Sequence, residues 1–261
     1  VDGQTVFPME AKEFAQEMIK LVSEGVGIVG GCCGTTPEHI RLLSDALYDM
    51  EPPEVKTKHF RALSTVRRTI PISLDKRFMV VGERINPTGK KSLQAALIKG
   101  DYSLVAKMAI EQTNNGADFL DINVGMGGVD EKETMLEAVQ EVMRVVDLPL
   151  SIDTSNPHVM EAALREYPGR ALINSISFEN EKMEKLLPMA RKYGAMFILL
   201  PLSDSGLPKS IDEKKEIIHS VLNKAYEVGL TNEDIIIDGI GNSYNCWIIK
   251  YIIRPSQQTV Y

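Results

Sequence analysis

Ala117-Asp118-Phe119-Leu120-Asp121-Ile122-Asn123-Val124-Gly125 decides the fold, because a run of strand length, Ala117 to Ile122, ends in a carboxylate and an amide and then a glycine. The same rhythm recurs on either side. Short apolar runs stand at Phe78 to Val81, Leu148 to Ile152, Ala171 to Ile173, Ala195 to Leu200 and Asp234 to Ile237. Between them lie amphipathic stretches of helical length, such as Glu131 to Val146, with Met135, Leu136, Val139, Val142 and Met143 on one stripe, and Ile211 to Val228. Strands alternating with helices indicate parallel βαβ units. Six units predict an α/β fold, an incomplete TIM-type (β/α)8 barrel of about six βα units. A doubly wound open sheet is the alternative, but no Gly-x-Gly-x-x-Gly follows any strand. Gly125-Met126-Gly127-Gly128 comes closest, with the wrong spacing.

Each strand of this region ends in side chains that a purely structural strand would not select. Gly82-Glu83-Arg84-Ile85-Asn86-Pro87-Thr88-Gly89 follows the first, Ser151-Ile152-Asp153-Thr154-Ser155 the third, Ile173-Asn174-Ser175-Ile176-Ser177 the fourth and Asp238-Gly239 the sixth. One such group is ordinarily a turn former or helix cap. Five sets in register are different. In a barrel these ends face one mouth, so Asn86, Asp121, Asn123, Asp153, Asn174 and Asp238 are expected to converge on one polar cavity. Buried carboxylates need donors, and a ligand rich in N–H groups meets that need. The aminopyrimidinone edge of a reduced pterin has that character.

The N-terminal region has another character. Residues 8 to 24 read as a helix, with Phe14, Met18, Leu21 and Val22 on one stripe and Gly25 as its stop. Val26 to Val29 reads as a strand, and Thr35-Thr36-Pro37-Glu38 opens a second helix, on which Ile40, Leu43, Leu47 and Met50 recur. Between strand and helix stands Gly30-Gly31-Cys32-Cys33-Gly34. Cys32 and Cys33 are candidate metal ligands, for zinc above all, since zinc takes thiolates in tetrahedral geometry. The alternative is a pair of inert small hydrophobes. Residues 51–77, with Pro52-Pro53, scattered basic residues and no periodicity, read as an interdomain linker between residues 1–50 and 78–240. Residues 241–261 show no helix pattern and read as an atypical tail holding the remaining cysteine, Cys246. His39, His59, His158 and His219 are dispersed and read as surface or helix residues.

The chain has 261 residues, 44% hydrophobic and 25% charged, enough for one substantial core. A net charge of −7 with dispersed basic residues argues against a nucleic-acid partner. No apolar run is long enough to span a bilayer, the start lacks the layout of a signal peptide, and three cysteines make no disulfide framework, so a cytoplasmic location is expected.

Two sets of motifs carry a resemblance. Gly-Gly-Cys-Cys-Gly-Thr-Thr-Pro-Glu-His-Ile, from Gly30 to Ile40, resembles the last strand and helix of the homocysteine methyltransferase barrel. Gly82 to Gly89, Asp121 to Gly125, Ser151 to Ser155 and Ile173 to Ser177 resemble the pterin-binding domain of cobalamin-dependent methionine synthases, which carry both barrels in this order. The likeness runs from about Phe7 to Ile240. It implies that residues 1–50 end a homocysteine-binding zinc barrel, with Cys32 and Cys33 holding the zinc. The family's third zinc cysteine comes from an earlier strand, for which this chain has no room. It also implies that Asp153, Asn174 and Asp238 hold the pterin ring, with Asn86, Asp121 and Asn123 completing a polar floor. The implied reaction is methyl transfer from 5-methyltetrahydrofolate, via cobalamin on a module not found in this sequence, to homocysteine. The seventh and eighth strands of the family's second barrel do not follow Ile240, which weighs against independent catalysis. Dihydropteroate synthase and the corrinoid methyltransferases share the pterin pattern without the cysteine element in front. A nonenzymatic folate-binding or inactive fragment is the alternative of another class.

Overall fold

In the computed structural model, which describes residues 7–52, 60–73 and 78–239, the chain divides into two units, Val1–Lys58 and His59–Tyr261. His59, Cys246 and the tail expected at 241–261 lie outside the described residues.

The first unit contains α1 (Ala11–Ser23) and α2 (Pro37–Leu47), which pack on each other. Gly25, at φ +98°, turns the chain out of α1 as a residue with a Cβ would resist doing. Thr36 caps α2 in a reciprocal capping box. Its backbone N–H donates to His39 Nδ1 at 3.3 Å, and its hydroxyl lies 2.8 Å from the same nitrogen. His39 Nε2 sits 3.1 Å from the Met9 carbonyl oxygen, and the ring meets Phe14 edge-on at 5.5 Å. That histidine therefore joins the start of the unit to its second helix. Val26 to Val29, expected as a strand, has no strand pairing. Ile28 is 92% exposed. Apolar composition suits a strand, but a strand forms only beside a partner that takes its backbone hydrogen bonds, and none runs alongside among the described residues.

The second unit opens inside the stretch expected as a linker. There β1 (Ala62–Ser64) and β2 (Thr69–Pro71) pair antiparallel. Then follow β3 (Val81–Ile85), α3 (Lys91–Ile98), α4 (Ser103–Asn114), β4 (Phe119–Ile122), α5 (Glu131–Val145), β5 (Leu150–Asp153), α6 (Pro157–Glu166), β6 (Leu172–Phe178), α7 (Asn180–Tyr193), β7 (Met196–Ser203), α8 (Ile211–Glu227) and β8 (Ile235–Ile237). Strands β3 to β8 form one parallel sheet in strict sequence order. Order without reversal is the barrel pattern, and it separates this sheet from a doubly wound one, whose strand order turns back on itself.

Two apolar layers follow from the twofold period of the strands. Outward-facing residues such as Leu120, Ile122, Ile152 and Ile173 meet the helices, where Met135, Val139, Met160 and Val221 are fully buried. Inward-facing Phe119, Leu172, Met196 and Ile236 form a second cluster, with Leu63 and Ile72 from the hairpin region inserted among them. The hairpin is pinned there. Ser64 N–H donates to the Arg170 carbonyl at 3.1 Å, Tyr167 OH to the Ser64 carbonyl at 2.9 Å and Thr65 Oγ1 to Asp147 Oδ1 at 2.6 Å. A Cβ on Gly169 would lie 2.0 Å from the Ser64 carbonyl oxygen, so only glycine lets the hairpin approach. Residues 62–72 thus close the N-terminal end of the sheet's interior.

Candidate functional site

Counting two residues along four strands from the inner apolar layer leads to the site. Val81 is followed on the same face by Glu83, Phe119 by Asp121, Leu172 by Asn174 and Ile236 by Asp238. All eight, with Ser151, Ile198 and Ile237, line one hollow that opens to solvent. The sheet therefore curls enough to bring its first and last strands, β3 and β8, onto the same space. The hollow is apolar toward the strand N-termini and acidic toward their C-termini.

The acidic end is organised by two amide–carboxylate pairs. Asn123 Nδ2 donates to Asp153 Oδ2 at 2.8 Å, while Asn123 Oδ1 accepts from Gly125 N–H at 2.9 Å. The backbone bond fixes which way the amide points. Asn174 Nδ2 donates to Asp121 Oδ1 at 3.0 Å, across the sheet from β6 to β4. In both pairs the amide spends a donor on a carboxylate. What these pairs leave for a ligand is mainly acceptor: the remaining carboxylate oxygens and the Asn174 carbonyl oxygen.

Burial, with like charge beside it, shows in the acids themselves. Burial pushes the Glu83 carboxyl up to about 7, and the charges of Asp121, Asp153 and Asp238 push the same way. Burial, then the charge of Asp153, raises Asp121 to about 6, against the pull of the Asn174 amide. Asp153 is raised by burial, with the Asn123 amide and the charge of Lys182 opposing. Lys182, near the start of α7, is loosely paired with Glu179 at 3.9 Å. At the other side of the mouth Lys214 Nζ donates to the Gly239 carbonyl at 2.8 Å, tying α8 to the end of β8.

Of the six residues expected to converge, Asp121, Asn174 and Asp238 line the hollow, and Asn123 and Asp153 join them through hydrogen bonds and charge. Asn86 does not. Its Oδ1 accepts from Thr88 N–H at 2.9 Å and its carbonyl from Lys90 Nζ at 3.0 Å, so in this structure it shapes the loop after β3. Glu83 lines the hollow, although its motif alone places it after the end of the first strand. The apolar run Phe78 to Val81 suggested a strand ending before it, whereas β3 runs from Val81 to Ile85 and turns Glu83 inward. Gly82 makes this possible, because a Cβ there would lie 2.6 Å from the Leu120 side chain. Ser151 and Glu131 also stand among these acids, and the strand-end motifs do not single them out. Ser151 is 1% exposed against Asp121, and Glu131 Oε1 accepts from Thr154 Oγ1 beside Asp153.

In the first unit Cys32 and Cys33 are exposed, with their sulfurs 3.7 Å apart. Two thiolates on one tetrahedral zinc at bond lengths of about 2.3 Å stand about 3.8 Å apart, so the pair has the bite of half a zinc site. Among the described residues no group of three or more His, Cys, Asp or Glu side chains is placed to hold a metal.

The family model for the pterin binding enzymes matches residues 82–244. The chain belongs to the pterin binding enzymes. A second family model, homocysteine S-methyltransferase, matches residues 2–47. Methionine synthase of Mycobacterium tuberculosis (strain ATCC 25618 / H37Rv) is 30% identical over 239 residues, which take in 89% of this chain and 20% of that protein. Methionine synthase of Mycobacterium leprae (strain TN) is 28% identical over 244 residues, with the same coverage. This pterin binding enzyme chain thus spans about a fifth of the length of these curated relatives. Among solved structures, 7,8-dihydropteroate synthase from Vibrio fischeri ES114 superposes with a TM-score of 0.50 at 22% identity, over 71% of this chain and 68% of that one. Dihydropteroate synthase of Yersinia pestis, solved with a pterine-sulfa conjugate, gives 0.51 at 20% identity, over 68% and 64%. At these identities the likeness is one of fold, and it agrees with the six parallel strands, in barrel order, of the described residues. The relatives by sequence and by fold are enzymes. Among the described residues no helix is long and apolar enough to cross a membrane.

Proposed function

We propose that the second unit binds the pterin ring of 5-methyltetrahydrofolate in the acidic hollow, as the folate-binding part of a methionine synthase that transfers the methyl group via cobalamin to homocysteine. The observation that carries this reading is the pair of amide–carboxylate bonds, Asn123 to Asp153 and Asn174 to Asp121, which turn acceptor atoms toward one space. A flat heterocycle with an amino group and ring N–H donors on one edge satisfies those acceptors, and the apolar layer of Val81, Phe119 and Leu172 lies behind it. Asp153, Asn174 and Asp238 are the proposed ring contacts. Asp121 and Asn123 set their geometry, Glu83 completes the acidic wall, and Asn86 shapes the rim.

Loss of a methyl group from a tertiary amine nitrogen is slow unless the nitrogen gains positive charge or a proton in the transition state. Ionised carboxylates held in a partly dry hollow favour that charge. Holding the ring in one orientation removes part of the entropic barrier to attack. Cobalamin, on its own module, is the proposed methyl acceptor. Residues 1–50 are the proposed end of a homocysteine-binding barrel, in which Cys32 and Cys33 supply two zinc thiolates. Zinc, when bound, keeps a substrate thiol ionised at neutral pH. The homocysteine S-methyltransferase match at residues 2–47 supports this reading over a dihydropteroate synthase, which has the fold in common. A soluble location in the cytoplasm goes with the same proposal.

Calorimetric titration of the full chain with 5-methyltetrahydrofolate tests it. Binding is expected in the parent, weakened about 10-fold or more by Asp153→Asn, since an unmade bond to a charged partner costs about 1.5–3 kcal/mol. No heat at millimolar ligand would contradict the proposal.

A further inference from the structure

Cys32 and Cys33 have a second chemistry that needs no third ligand. Both thiols are exposed, their sulfurs are 3.7 Å apart, and neither lies in a helix or strand. Gly30 and Gly31 precede them and Gly34, at φ +82°, follows, so the backbone around the pair has torsional freedom that bulkier residues lack. A Cβ on Gly34 would lie 2.4 Å from the Phe7 side chain, so this turn keeps its glycine for space as well as for torsion.

We propose that the Cys32–Cys33 pair is a reversible oxidation site, converted by a low-molecular-weight disulfide into a vicinal disulfide. One thiolate attacks the external disulfide, forms a mixed disulfide and releases one external thiol. The neighbouring thiolate then attacks the protein sulfur of that mixed disulfide, forms the Cys32–Cys33 bond and releases the second external thiol. Two electrons and two protons pass from the protein dithiol to the oxidant, which leaves as two thiols. The second step is intramolecular, so it needs no encounter with a second dissolved thiol. Closing the bond brings the sulfurs from 3.7 Å to about 2.05 Å. Adjacent Cα atoms lie about 3.8 Å apart, inside the usual disulfide minimum of about 4.4 Å. The product is therefore strained and readily reduced. Oxidation removes both thiolates from any metal, which makes the pair a switch as well as a ligand set.

Intact full chain treated with oxidised glutathione, quenched with acid and cut with trypsin yields the fragment Leu21–Arg41, which holds both cysteines and not Cys246. The expected fragment is about 2 Da lighter, the mass of the two thiol hydrogens, resists alkylation, and returns to its starting mass with dithiothreitol. Cys33→Ser is expected to give the glutathione adduct in place of the lighter form. The circular dichroism of the variant is expected to match the parent, because the side chain is exposed. A persistent glutathione adduct in the parent, a cross-link to Cys246 or to a second chain, or two thiols still alkylatable after treatment would each overturn the proposal. None of these readouts involves zinc, so the metal reading stands or falls separately.

Discussion

Asn123 bears on the proposed pterin site through Asp153 and not by lining the hollow itself. Its carbonyl oxygen is held by Gly125 N–H, so its amino group must point to Asp153, and Asp153 must keep one oxygen on that bond. Asn123→Ala is expected to weaken pterin binding by about 5–10-fold through loss of one bond worth about 1 kcal/mol. Asn123→Asp is expected to do more damage, by setting two like charges together where a donor stood. Titration of both variants with 5-methyltetrahydrofolate checks the order. Glu83 and Asp121 carry the pH signature. Their folded-state values of about 7 and about 6 stand above the roughly 4.3 and 3.9 of an unfolded chain. Between about pH 4 and pH 7 the folded protein therefore holds protons that the unfolded chain has released. This contribution to stability is whole below about pH 4 and lost as pH rises through 6 and 7. Thermal melts of Glu83→Gln are accordingly expected to gain on the parent as pH rises from about 5 to 8. A gap between the two proteins that stays constant across that range would contradict the shift.

At the scale of elements, the parallel sheet was legible because its strands and helices differ in period, and buried strands read as apolar runs whatever surrounds them. Strand order followed from the same alternation. The hairpin of β1 and β2 was not legible. Its strands are three residues each, and the burial of Leu63 and Ile72 comes from partners more than forty residues away, Phe119 and Leu172 among them. Val26 to Val29 is the converse, a strand-like run with no neighbour to pair with. The position of β3 is not legible either, because Gly82, Glu83 and Arg84 look like a loop until their packing against Leu120 is known. That displacement alone hid Glu83 from the site. Leu63, fully buried at the closed end of the sheet, tests the hairpin's place in the fold. Leu63→Ala is expected to cost about 2–5 kcal/mol in denaturant unfolding of the second unit. The exposed control Ile28→Ser is expected to change little.

For the molecule as a whole, the two units differ in how much structure they carry by themselves. The second has two apolar layers around a six-stranded sheet. In the first, Phe14, Ala15 and Leu43 are the buried apolar residues among those described. A core of that size does not hold a domain together, and the homocysteine S-methyltransferase match covers only residues 2–47. The folate-binding reading therefore rests on the second unit, where five of the six side chains expected from strand-end motifs come together and the sixth, Asn86, stays in its loop. On that reading the hollow offers acceptors and so selects an edge of donors. The most direct measurement is a pair of calorimetric titrations of the full chain, one with tetrahydropterin and one with the matching tetrahydrolumazine, in which a carbonyl replaces the 2-amino donor. The pterin is expected to bind and the lumazine to bind at least about 10-fold more weakly, because an acceptor then faces a carboxylate. Equal affinity for the two, or tighter binding of the lumazine, would contradict it.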